Sequence, residues 1–158
     1  MKIAAFKEGD PQEKRISLLP GSVKKLTSIG IGVNLPCKFG EKLGIKDDEF
    51  KSAGAAIFSD EKEMVEVSDF AIRIKAPKEN DIKNLSTGTI HSSFLDPFNN
   101  PKLLDFFNEK MVSSISLEMI PRTTLAQKMD FLSSQANLAG YVAVVNAASR
   151  LNKIFQCL

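Results

Sequence analysis

Short apolar runs of strand length alternate with helical patterns along the chain. That alternation predicts an α/β fold: an open, mostly parallel sheet with helices on both faces, ending in a long connecting helix. Two further observations agree. At 158 residues the chain is long enough for one domain with a substantial core. With 43% apolar and 25% charged residues, its composition is that of a globular protein rather than a disordered one.

Lys2 to Phe6 suits a buried first strand, and the polar run Lys7 to Lys14 is a loop with Arg15 just beyond it. Pro20 fits the first turn of a helix running to about Ser28, because its ring fixes φ and its missing N–H is not needed there. Gly30 stops that helix. Ile31 to Leu35 is the second strand, and Pro36 to Ile45 is a loop. Lys46 to Ala53 is a short helix opened by Asp47 or Asp48, followed by a minor strand, Ala55 to Phe58. Ser59 is the expected cap of a helix over Glu61 to Val67, whose early acids suit the positive end of the helix dipole.

Phe70 to Ile74 is the next strand, with Lys75 at its C-terminal end, where open parallel sheets place their ligand crevice. Asp81 to Leu85 is a short helix and Thr89 to Phe94 a strand holding the single histidine, His91, read as a core group. Leu103, Leu104, Phe106 and Phe107 give a broad apolar face to a helix over Asn99 to Met111, and Val112 to Leu117 is the last strand. This order of elements describes a Rossmann-like, or flavodoxin-like, sheet.

The stretch from Leu117 to Tyr141, LEMIPRTTLAQKMDFLSSQANLAGY, carries the densest chemistry. Pro121 ends the strand, since a residue before proline is pushed towards extended backbone. Arg122 to Asp130 then brings a fork-shaped cation, an amide and a carboxylate into one loop. Ser133 or Ser134 is the expected cap of the long helix, read as Ser134 to Phe155. That helix is apolar on more than one side and so calls for partners on two faces, with Gly140 suited to close approach of another backbone.

Several function classes are excluded on composition. A formal net charge of +2, from scattered basic residues, gives no footprint for nucleic acid. Cys37 and Cys157 have no metal-ligand spacing and no disulfide framework, and no metal is expected. No apolar run approaches the roughly 18 residues of a membrane span, and MKIAAFKEGD is too charged for a signal peptide.

The ordered, non-periodic set Pro121, Arg122, Ala126, Gln127, Met129, Asp130, Leu132, Ser133, Ser134, Gln135, Asn137, Leu138, Ala139, Gly140, Tyr141 resembles the NAD(H)-binding component of proton-translocating NAD(P) transhydrogenases. Weaker likeness extends from Met1 to about Phe155, within the wider group of alanine dehydrogenase/pyridine nucleotide transhydrogenase N-terminal domains. The resemblance implies that Arg122, Gln127, Asp130 and Ser133 hold the nicotinamide half of NAD(H). Their role is positioning, and no catalytic residue is assigned, because the cofactors carry the hydride chemistry. Where many relatives have a second basic residue in this loop, the chain has Leu125, which implies a weaker grip. Arg15 and Lys75 match positions that hold pyruvate in the alanine dehydrogenase branch, and the resemblance to the transhydrogenase branch leaves them as either structural or cleft-lining residues. The histidine of that branch is replaced at about Asp96, and His91 falls about five residues too early, so the transhydrogenase branch is the better match.

Dinucleotide sites use a glycine-rich turn whose amides meet the pyrophosphate, and no G-x-G-x-x-G occurs in the sequence. The expected organisation is a first lobe over residues 1–133 and an interdomain-type helix over 134–158, without the glycine-rich lobe. NAD(H) would then be bound jointly with that missing lobe and NADP(H) on a partner subunit. Expected partners are the Rossmann lobe, the membrane domain and the NADP(H)-binding domain, with a homodimer as in the family. The expected location is cytoplasmic, peripheral at the inner membrane through those partners. The chain reads as a portion of a truncated or split alpha subunit, inactive alone. The alternatives are a non-catalytic binding module, a gene remnant, or a fragment of an alanine dehydrogenase-like enzyme.

Overall fold

The computed structural model describes residues 1–151. The chain divides into two compact units, the first Met1–Ser116 and the second beginning at Leu117.

The first unit is built on β1 (Lys2–Ala5), β2 (Gly32–Pro36), β3 (Ala56–Phe58), β4 (Phe70–Ile72), β5 (Ile90–Ser93) and β6 (Ser113–Ser116). They form one six-stranded sheet in the order β3-β2-β1-β4-β5-β6. All five pairings are parallel, so the expected mostly parallel sheet is wholly so. The helices are α1 (Pro20–Ser28), α2 (Asp47–Ser52), α3 (Glu61–Glu66), α4 (Glu79–Lys83) and α5 (Pro101–Glu109).

Adjacent residues of β1 prove that both faces are covered. Ala4 lies in a core cluster with Met64 and Val65 of α3, Ile82 of α4 and Phe107 of α5. Ala5 lies in a second cluster with Val23 of α1, Leu35 of β2 and Phe50 of α2. Successive strand residues point to opposite faces, so each cluster sits under its own helical layer. Phe50 is wholly buried, and its ring meets Phe39 edge-on at a centroid distance of 5.6 Å. Burying such a ring is worth about 1.5–3 kcal/mol.

Local chemistry sets the element ends. Pro20 opens α1 as expected, and Gly30, at φ 82°, turns the chain out of it. The cap of α3 is Asp60 rather than Ser59: its carboxylate accepts from the Lys62 amide at 2.8 Å. Helix α4 begins two residues before the expected Asp81, because the Asp81 carboxylate reaches back to the Lys78 amide at 2.9 Å. Strand β4 stops at Ile72, two residues short of the expected end, and the Ile74 amide instead donates to the Glu8 carboxylate at 2.7 Å.

His91 is fully buried in β5 beside Phe107, as its place in a strand suggests. Only half of its polar capacity is met: Nε2 is 3.0 Å from Ser93 Oγ, while Nδ1 has no hydrogen-bond partner. Burial, with the Arg73 charge adding to it, pushes its pKa down to about 3, so the ring is neutral near pH 7.

The second unit opens with a 3-10 turn, Leu117–Met119, passes through another, Ala126–Met129, and continues into α6 (Phe131–Arg150). The long helix starts earlier than expected because Asp130, not Ser133 or Ser134, is its cap. Residue 151 is extended, and the portion of the expected helix from 152 to 155 lies outside the described residues. No residue of α6 is buried. A methyl group added at Gly140 would meet nothing within 4 Å, so the expected close backbone approach is absent among the described residues. No described helix is long and apolar enough to cross a membrane.

Candidate functional site

Two clusters hold the residues singled out from the sequence, one in each unit. The first lies at the C-terminal ends of β1 and β4. These strands are neighbours although the chain runs β1, β2, β3 before returning to β4, so the strand order reverses here. Open parallel sheets form their ligand crevice at such a reversal.

Residues 7–15 leave β1 and cross this crevice as a strap. Glu8 accepts from the amides of Ile74 and Lys75 at 2.7 and 3.2 Å. Asp10 pairs with the Lys75 ammonium at 2.5 Å. Buried Glu13 takes the Arg15 guanidinium in a two-pronged pair, at 2.8 Å from Nε and 2.6 Å from Nη2. From the other side, Lys42 Nζ donates to the carbonyls of Asp10 and Glu13 at 3.0 and 2.9 Å. The Arg15 guanidinium holds the Glu13 carboxyl down at about 2, and the Asp10 carboxylate raises the Lys75 ammonium. Arg15 and Lys75 are thus each matched with an acid of the strap.

Sequence reasoning missed Glu8, Asp10 and Glu13 as partners, and Arg73 altogether. The Arg73 guanidinium sits 4.1 Å over the Phe6 ring and 3.6 Å from Asp81. A run of acids at positions 8, 10 and 13, immediately after a strand and before a lone arginine, is the signal that could have found them.

The second cluster is the loop before α6. Thr123 organises it: its carbonyl accepts from the Gln127 amide at 2.9 Å and its hydroxyl from the Ala126 amide at 3.3 Å. Ala126 is buried, while Arg122, Gln127 and Ser133 are exposed. Asp130 accepts from the Ser133 amide at 3.0 Å and from its hydroxyl at 2.5 Å. These bonds, hydroxyl first, lower the Asp130 pKa, and the Arg122 charge contributes in the same direction. Leu125 is almost fully exposed. The loop therefore offers water a guanidinium, a carboxamide and a carboxylate whose orientation the serine fixes. Among the described residues no cluster of His, Cys, Asp or Glu could hold a metal ion.

The chain is thus a doubly covered parallel α/β lobe that continues into a polar loop and a long helix. The family model for the alanine dehydrogenase/PNT N-terminal domain matches residues 4–139, and the chain belongs to that family. It is 32% identical over 155 residues to the NAD(P) transhydrogenase subunit alpha of Cereibacter sphaeroides, covering 98% of this chain and 30% of the relative. It is 30% identical over 155 residues to the NAD(P) transhydrogenase subunit alpha of Haemophilus influenzae, covering 98% of this chain and 30% of the relative. Among solved structures, the transhydrogenase from Sinorhizobium meliloti superposes with a TM-score of 0.89 at 32% identity, over 100% of this chain and 47% of that one. An L-alanine dehydrogenase shares the fold, with a TM-score of 0.71 at 22% identity, over 76% of this chain and 33% of that one. The chain thus spans less than half the length of these relatives.

Proposed function

We propose that this chain is the N-terminal portion of the NAD(H)-binding component of an NAD(P) transhydrogenase, and that the loop from Arg122 to Ser133 positions the nicotinamide half of NADH. The observation that carries the proposal is the exposed, pre-ordered polar set of that loop in a chain similar to transhydrogenase alpha subunits. The donor set suits the cofactor. The Gln127 carboxamide can donate to and accept from ribose or carboxamide groups, and the Arg122 guanidinium presents a planar fork of donors. Asp130, locked by Ser133, offers an acceptor already held in one orientation.

NADH supplies the hydride, so the residues of this chain bind and align rather than react. In this reading a glycine-rich lobe completes the site, a partner component holds NADP(H), and a membrane component couples the transfer to proton movement. A homodimer at the inner membrane surface is included in the same proposal.

Equilibrium titration with NADH tests it. With no Trp and one Tyr, protein fluorescence hardly interferes. The isolated chain should show no micromolar affinity. A chimera carrying residues 1–150 of this chain in place of the matching segment of the Cereibacter sphaeroides relative should bind NADH, and Gln127→Ala should weaken that binding on the order of tenfold, about 1.4 kcal/mol. Micromolar binding by the isolated chain, or a chimera indifferent to Gln127, would overturn the proposal. A second reading, a non-catalytic interaction module, is favoured by the exposure of apolar residues along α6, none of which is buried. It predicts a folded chimera that binds no NADH at all.

A further inference from the structure

We propose that Asp10 is a built-in counter-ion that keeps small carboxylate anions off Lys75, so that the crevice at the ends of β1 and β4 is occupied by the chain's own acids. At the strand ends the crevice is an open cavity of about 210 Å³, lined in its polar stretch by Glu8, Asp10, Arg73, Lys75, Lys78 and Asp81. Its position at the reversal of strand order is where an open parallel sheet receives a ligand. Arg73 and Lys78 also line the crevice, Arg73 beside Asp81 at 3.6 Å, and the groups that meet the strap are two main-chain amides and the Lys75 ammonium, with the Arg15 guanidinium at the far end. Each already has a carboxylate from the strap: Glu8 on the amides of Ile74 and Lys75, Asp10 on Lys75, and Glu13 on Arg15.

The three acids are not equivalent. Glu13 is buried and bound at two points, and Glu8 is held by main-chain amides that do not move without the strand end. Asp10 is 37% exposed and Lys75 49% exposed, so theirs is the pair an incoming anion would have to open. The strap cannot simply swing away, because Lys42 ties the carbonyls of Asp10 and Glu13 to the neighbouring turn. An anion must therefore displace the Asp10 side chain while the strap stays, and then sit beside a negative charge. At exposed positions, competition and repulsion are each worth up to about fivefold in affinity. Their joint removal should raise anion affinity on the order of tenfold. Nothing in this depends on the loop before α6.

Oxalate is the probe, with neutral oxamide as its control, and binding is followed by amide chemical shifts of the isotope-labelled chain. Asp10→Asn should bind oxalate on the order of tenfold more tightly than the unchanged chain, and the gain should vanish in the double variant Asp10→Asn with Lys75→Gln. Oxamide should show no gain. Asp10 and Lys75 are both exposed enough to be replaced without opening a core, and the dispersion of the same spectra reports whether each variant is folded. Equal oxalate affinity in the unchanged chain and in Asp10→Asn would sink the inference. So would a gain that survives the loss of Lys75, or one that oxamide shares.

Discussion

The sheet unit and the long helix use similar residues to opposite ends. In the sheet unit, Val23, Val33, Leu35 and Phe50 are buried to within 1% of complete exclusion from water. In α6, Leu138, Tyr141, Val142, Val144 and Val145 keep between 48% and 70% of their surface exposed. Apolar sequence is therefore not the same as a core. In the sheet unit an opposing layer meets each apolar face, as Ala4 and Ala5 show on the two sides of β1. Hydrophobic pattern reports what a segment can bury, while topology decides what it does bury.

The sharpest way to break this contrast is to remove a core ring. Phe50→Ala should cost about 3–5 kcal/mol, by transfer and cavity terms together, read as a shift in the urea midpoint. A loss under about 1 kcal/mol would mean that the second core cluster is loosely packed. Next in size is an acid effect centred on His91. Its pKa is depressed from 6.5 to about 3 on folding, so the unfolded chain binds the extra proton between those values. Stability is fully present above about pH 6.5 and falls below it by about 1.4 kcal/mol per pH unit, a loss of roughly 2 kcal/mol by pH 5. His91→Gln should flatten the denaturation midpoint between pH 7 and 5, and an unchanged slope would remove His91 from the account.

A smaller effect is expected at the start of α6. Asp130→Ala removes the cap and should speed amide exchange at Ser133 on the order of fivefold. Exchange as slow as in the parent chain would show that another group holds that amide. The smallest effect belongs to the exposed helix itself. Val145→Ala should change the stability of the isolated chain by less than about 0.5 kcal/mol. A cost above about 1 kcal/mol would show that this face is covered in solution, and would turn the contrast into one between two cores.

The alternation of strands and helices is legible in the sequence because each element carries its own periodicity over adjacent residues. The polar loop is legible only as a cation, an amide and a carboxylate following Pro121; that Asp130 rather than a serine caps α6 and binds Ser133 three residues on comes from the structure. Misplaced ends come from competing local acceptors. Ser59 and Asp60 are both good caps, as are Asp130, Ser133 and Ser134, and only backbone geometry chooses between them. The ion pairs of the crevice are not legible because they are remote in sequence. Glu8 and Asp10 meet Ile74 and Lys75 across about 65 residues, a pairing created by the return of β4 to the free edge of β1. His91 is legible as a core group, but its unpaired Nδ1 depends on what β4 and α5 place beside it.

The strand order also gives the chain a direction in time. Apart from Ile72, every residue of the cluster containing Phe50 and of its packed fringe lies between Ala5 and Ile57. As the chain leaves the ribosome, β1, β2 and β3 with α1 and α2 can close that core before β4 has been made. One edge of β1 is then already satisfied, and the other stands open as a template. Strand β4 returns from the β3 side to join it, and β5 and β6 then add one after another, each to the strand made just before it. In a parallel sheet, where partners are otherwise far apart along the chain and assembly is slow, synthesis itself orders the steps.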